Sequence, residues 1–133
     1  MGSCSCDCRC QSEVVRFQAV LLRRGAVIYS PWMERRCDRL RATAELVMTS
    51  GDSLTVDLFT KKPEMRGNGT LVDSGTKIVL TTAGRQTKEW NPYTGTGMAG
   101  LVRYRFTVGT STALGTVIFR MLPPIWFDSL FLS

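Results

Sequence analysis

Arg39-Leu40-Arg41-Ala42-Thr43-Ala44-Glu45-Leu46-Val47-Met48-Thr49 is the stretch on which the fold turns. Leu40, Ala42, Ala44, Leu46 and Met48 alternate along it with the period of a half-buried strand. Extended back to Trp32, the same stretch also offers a helix. Met33, Cys37, Leu40, Ala44 and Val47 recur at helical spacing, with Ser30-Pro31 ahead and Gly51 behind. The run that follows decides between them. Leu54, Val56 and Leu58 alternate with Thr55, Asp57 and Phe59, and Thr49-Ser50-Gly51-Asp52-Ser53 reads as a hairpin turn. Arg39 to Thr49 is therefore predicted as strand, and Pro31 to Asp38 as a loop or short helical turn.

The pattern continues outward on both sides. Toward the N-terminus, Val14 to Leu22 and Ala26 to Tyr29 read as strands around Arg23-Arg24-Gly25. Toward the C-terminus, a polar loop through Lys61-Lys62-Pro63-Glu64 and Arg66-Gly67-Asn68-Gly69 precedes strands at Thr70–Val72 and Lys77–Thr82, with Asp73-Ser74-Gly75 between them. Asn91 to Gly100 reads as loop. Leu101 to Val108 puts Val102, Tyr104, Phe106 and Val108 on one face. Gly109 to Gly115 then turns, and Thr116 to Leu122 returns until Pro123-Pro124 ends the ladder. Many short strands with Gly, Ser and Thr turns predict an all-β fold, an antiparallel β-sandwich of jelly-roll-like kind. Residues 13–133 form its single domain, and residues 1–12 an extended, cysteine-rich N-terminal arm.

Bulk properties agree. A chain of 133 residues suits one domain with one core, and 44% hydrophobic against 21% charged residues excludes a disordered tail. No apolar run approaches the roughly 20 residues of a membrane span. Met1-Gly2-Ser3-Cys4 starts no apolar signal core, so synthesis in the cytoplasm is expected. The formal charge of +6, mostly from arginine, suits a solvated surface or an acidic partner such as nucleic acid. Histidine is absent. Ser-His-Asp and Cys-His catalysis, histidine acid–base work and most zinc and iron sites go with it.

Several constellations carry possible chemistry. Cys4, Cys6, Cys8 and Cys10 would line one face of an extended segment, with neighbouring Cα atoms about 6.6 Å apart, the outer edge of disulfide reach. An unspecialised arm, cross-linking between subunits and soft-metal binding all remain open, and the spacing is not that of a zinc ribbon. Cys37 reads as a small buried residue. Gly95-Thr96-Gly97-Met98-Ala99-Gly100 matches the dinucleotide fingerprint in letters, but Asn91-Pro92 precedes it and a strand follows. It is rejected. Asn68-Gly69-Thr70 is read as a turn. Arg35, Arg36, Arg39 and Arg41, near Trp32, form one candidate acidic-partner patch, and Arg103, Arg105 and Arg120 on the last hairpin form another.

Leu71-Val72-Asp73-Ser74-Gly75-Thr76 resembles the hydrophobic-Asp-Ser/Thr-Gly-Ser/Thr signature of aspartic proteases. The resemblance covers six residues. It implies a dimer of the retroviral type, in which paired Asp73 carboxylates activate water. The buttressing hydrophobic-Gly element of that family has no convincing counterpart, since Ala113-Leu114-Gly115 is oddly placed. Asp-Ser-Gly is also ordinary turn chemistry.

Ile125-Trp126-Phe127-Asp128-Ser129-Leu130-Phe131-Leu132-Ser133 is strongly apolar to its end. Such a tail either closes its own sandwich or is buried in neighbouring subunits. The expected function is non-enzymatic: a structural subunit of a virus- or phage-like particle, in capsid, decoration or tail. It associates with copies of itself through sheet edges, the cysteines of the arm and Ile125, Trp126, Phe127, Leu130 and Phe131. No cofactor and no catalytic or metal-binding residue is assigned. The alternatives are a carbohydrate-binding module with Trp90 and Tyr93 stacked on sugar, and the protease dimer through Asp73-Ser74-Gly75.

Overall fold

The computed structural model describes residues 17–19, 26–35, 39–49, 53–73, 75–91, 100–109 and 117–127, with backbone alone for 17–19. Its strands are β1 (Phe17–Ala19), β2 (Val27–Tyr29), β3 (Met33–Glu34), β4 (Arg39–Thr49), β5 (Leu54–Lys61), β6 (Thr70–Leu71), β7 (Ile78–Leu80), β8 (Gly84–Trp90), β9 (Leu101–Val108), β10 (Val117–Met121) and β11 (Ile125–Phe127). All pairings are antiparallel, and the strands form two sheets. The chain is an all-β sandwich. Residues 1–12, expected as an N-terminal arm, lie outside the described residues.

Three strand lines are interrupted, and each interruption has a local cause. In the front sheet β8 occupies one edge of β4 from Leu40 to Leu46, so β10 and β11 share the other. Pro123-Pro124, lacking N–H donors, separates them, and the ladder is bridged by Leu122 N–H donating to Thr43 O at 3.0 Å. In the back sheet β5 pairs with β9 along its whole length, so β2 and β3 share the far edge of β9, and β6 and β7 the far edge of β5. The lines of the front sheet are thus β1, β10 with β11, β4, and β8. Those of the back sheet are β2 with β3, β9, β5, and β6 with β7.

The lines pair as one long hairpin folded on itself. Phe59 pairs with Leu71, Leu40 with Trp90, Val27 with Thr107 and Phe17 with Met121. Each pair is nearly symmetric about the loop at Met65–Gly69, the tip of that hairpin. Two of the expected hairpins are corrected by this arrangement. β4 and β5 lie in different sheets, as do β9 and β10, so neither pair forms a hairpin ladder. Alternation shows that a strand has a buried face but not which strand covers it. The strands expected on either side of Asp73 are present as β6 and β7, and both lie along β5 with a detour between them. Asp73 there has φ +46°, and its carbonyl accepts from Thr76 N–H at 2.7 Å.

The core lies between the sheets. Leu40, Ala42, Ala44 and Leu46 of β4 face Leu54, Val56 and Leu58 of β5 and Val102, Tyr104, Phe106 and Val108 of β9, all buried. The Phe106 and Phe119 ring centroids are 4.8 Å apart. Within the front sheet Leu40 is flanked in register by Trp90 and Trp126. The alternation of β4 fails at Val47, which is skipped between the pairs Leu46–Phe119 and Met48–Ile118. That bulge turns both Val47 and Met48 to solvent, where the sequence pattern placed Met48 inside. The Tyr104 phenol is buried, and desolvation pushes its ionisation far above the ordinary tyrosine value.

Candidate functional site

The outer face of the back sheet gathers the densest cluster of chemistry among the described residues. With Leu58 and Tyr104 turned inward, Asp57, Phe59 and Lys61 of β5 and Arg103 and Arg105 of β9 must face out. Arg105 stands opposite Asp57, and its Nη2 donates to Asp57 Oδ2 at 2.9 Å. The Asp57 side chain is only 7% exposed. The Arg105 guanidinium also covers Phe59, at 4.8 Å from the ring centroid. Tyr29 meets Phe59 edge-on, with centroids 6.1 Å apart.

Arg103 is held more tightly. Its Cζ lies 4.0 Å from the Tyr29 ring centroid and 4.3 Å from that of Trp32, and its Nη2 donates to Asn68 Oδ1 at 2.7 Å. Lys61 Nζ lies 4.7 Å from the Trp32 ring and donates to Met65 O at 3.1 Å. Cations and rings thus interleave across the face. Neither Lys61 nor Arg103 has a carboxylate partner among the described residues.

Two local devices bring these groups together. Ser30 exchanges hydrogen bonds with Tyr104, its N–H donating to Tyr104 O at 3.0 Å and its Oγ accepting from Tyr104 N–H at 2.9 Å. Beyond it, Pro31 breaks the line. One extra residue fits between Tyr29, opposite Arg105, and Met33, opposite Val102, and Trp32 reaches the outer face. The second device is Gly69, at φ +84°. A Cβ there would stand 2.6 Å from Thr60 O and 3.1 Å from the Trp32 ring, so only glycine lets the tip loop close on Trp32.

The front sheet's outer face is built differently. Arg41 Nη2 lies 2.7 Å from Glu89 Oε2. Arg85 and Arg120 both reach Glu45, at 3.3 and 2.5 Å. Hydrogen bonding by Arg120 first, then by Arg85, holds the Glu45 carboxyl below its ordinary range. A shallow groove of about 350 Å³ beside this network is lined by Glu45, Val47, Ile118, Phe119 and Arg120.

The candidate residues read from the sequence fall as follows. Arg35 follows β3 of the back sheet, and its N–H donates to Gly100 O at 2.8 Å. Arg39 and Arg41 stand on the outer face of β4 in the front sheet. The first arginine patch is therefore divided between sheets, and Arg41 is engaged by Glu89 and by Phe127, 5.1 Å from its ring. Arg103 and Arg105 do face outward together, but Arg120 is on the opposite face of the sandwich, paired with Glu45.

Trp126 and Phe127, expected at subunit contacts, are buried in their own sheet against β4 at 1% and 3% exposure; Ile125 pairs with Arg41 beside them. The tail closes its own sandwich there. Trp90 is fully buried, with Nε1 donating to Thr76 O at 2.9 Å, so its ring cannot stack on sugar. Asp73 accepts from Asn91 N–H at 3.4 Å within the edge detour. Cys4, Cys6, Cys8, Cys10, Arg36, Cys37, Ser74, Tyr93, Leu130 and Phe131 lie outside the described residues.

Sequence reading missed Tyr29, Phe59, Lys61 and Asn68 as members of one surface. Phe59 carried a signal: an aromatic on the outward side of a strand whose other side is already apolar. Among the described residues no three of His, Cys, Asp and Glu gather as a metal site. No helix among them is long and apolar enough to cross a membrane. A scan against protein-family models finds no match for the chain, and a search of curated proteins also finds none.

Proposed function

We propose that the chain is a structural subunit that joins copies of itself, or coats a larger assembly, as a component of a virus- or phage-like particle. The observation that carries this is the nested pairing about Met65–Gly69. We read it as jelly-roll winding, in which a single long hairpin is wrapped into two sheets. Jelly rolls of this kind build capsids as well as lectins and cupins. The sugar-binding use loses its best stacking ring to the core at Trp90. The exposed pair Val47 and Met48, beside the groove at Ile118, supplies apolar surface for a neighbour.

The test is light scattering with electron microscopy of the purified chain over a wide concentration range. Discrete oligomers or particles are expected, and Met48→Lys with Val47→Glu reduces them while the fold survives. A strict monomer at every concentration, with no larger particle to coat, overturns the proposal.

A further inference from the structure

We propose that the outer face of the back sheet around Trp32 binds the phosphate backbone of single-stranded nucleic acid. This does not depend on the chain's being an assembly subunit. Lys61 and Arg103 are fixed by Trp32, Tyr29, Asn68 and the Met65 carbonyl, groups that orient a cation without cancelling its charge. A guanidinium stacked on rings keeps its formal charge, and guanidinium donors are the groups that suit phosphate oxygens. The adjoining tip loop adds Lys62 and Arg66, both exposed. Facing these are Asp57, occupied by Arg105, and Glu34 and Glu64 at the margins. Five cations (Lys61, Lys62, Arg66, Arg103, Arg105) thus stand against three carboxylates, an excess of positive charge.

The rings favour nucleic acid over an acidic protein segment. Tyr29 and Trp32 are half-buried and stand among the cations of this face, against Arg103 and, for Trp32, Lys61. Sequence-tolerant single-strand binders combine a basic track with such stacking surfaces, and bases stack on guanidinium planes as readily as on rings. An acidic peptide uses the charge but not the rings.

The experiment is fluorescence anisotropy of a labelled thymidine oligonucleotide titrated with the full chain. If three phosphates are held, affinity falls roughly twentyfold between about 50 and about 200 mM salt. Arg103→Gln and Lys61→Gln each weaken binding about fivefold or more, while Arg41→Gln and Arg120→Gln, which remove the same charge from the front sheet, cost less than about twofold. Circular dichroism establishes folding. Lys61 lies at the rim, so Lys61→Gln carries the test should Arg103→Gln unfold. Absence of binding at low salt overturns the proposal, and so does equal loss from front- and back-sheet variants. Displacement by polyglutamate at matched charge also overturns it, since the face then takes any polyanion.

Discussion

On the front sheet Arg41, Arg85 and Arg120 are each met by a glutamate, whereas on the back sheet Lys61 and Arg103 are met by Trp32 and Tyr29. Both faces come from strands that alternate in the same way, and both hold long basic side chains in place. They differ in what the holding does to the charge. A carboxylate neutralises its cation and leaves a surface with little pull on a distant anion. A ring lends attraction through its quadrupole, fixes the side chain and leaves the formal charge standing. One sandwich thus presents a balanced network on one side and a preorganised cationic layer on the other.

The comparison breaks most visibly at Asp57, the one buried carboxylate among the described residues of the back layer. Asp57→Asn leaves Arg105 over Phe59 without its partner and is expected to cost about 3 kcal/mol in urea unfolding, against less than about 1 kcal/mol for Glu89→Gln on the front sheet. Equal costs would mean that the back face is not a held layer. A double-mutant cycle sharpens the contrast next. Trp32→Leu with Arg103→Gln is expected to show about 1 kcal/mol of coupling that persists in salt, while Arg41→Gln with Glu89→Gln gives about 0.5 kcal/mol that fades in salt.

The smallest effect is a titration. Because its folded-state pKa is depressed below the ordinary value of 4.5, Glu45 contributes stability that is present above that value and lost as pH falls through the folded pKa. Following the Glu45 carboxyl carbon by NMR should show a low midpoint that moves back toward 4.5 in Arg120→Gln. An unmoved midpoint would remove Arg120 as the main cause.

Legibility in the sequence followed the same division between faces and partners. The period-2 pattern at Leu40–Leu46, Leu54–Leu58 and Val102–Val108 sufficed for fold class, strand type and the central part of the core. Partner choice was not written there, because β4 buries the same residues whether β5 lies beside it or across from it. β8 escaped notice altogether, since Arg85-Gln86-Thr87-Lys88-Glu89 sits at a sheet edge and only Trp90 of the run is fully buried. The bulge at Val47 inverted Met48, a two-strand event invisible in one strand. The outward direction of Arg103 and Arg105 was readable from alternation. Their rings were not, because Trp32 arrives through a broken line and Tyr29 from another strand.

The mirror-like pairing about Met65–Gly69 also bears on how the chain comes off the ribosome. Almost every strand emerging before residue 65 must wait for its mate, and the earliest, β1, waits longest, for β10. Closure has to zip outward from the middle, so each step joins segments farther apart in sequence than the last, a route expected to be slow. Throughout synthesis the first half is a row of unmated ribbons open to capture by another nascent copy, which makes exchange of halves between neighbouring molecules the natural error of this design.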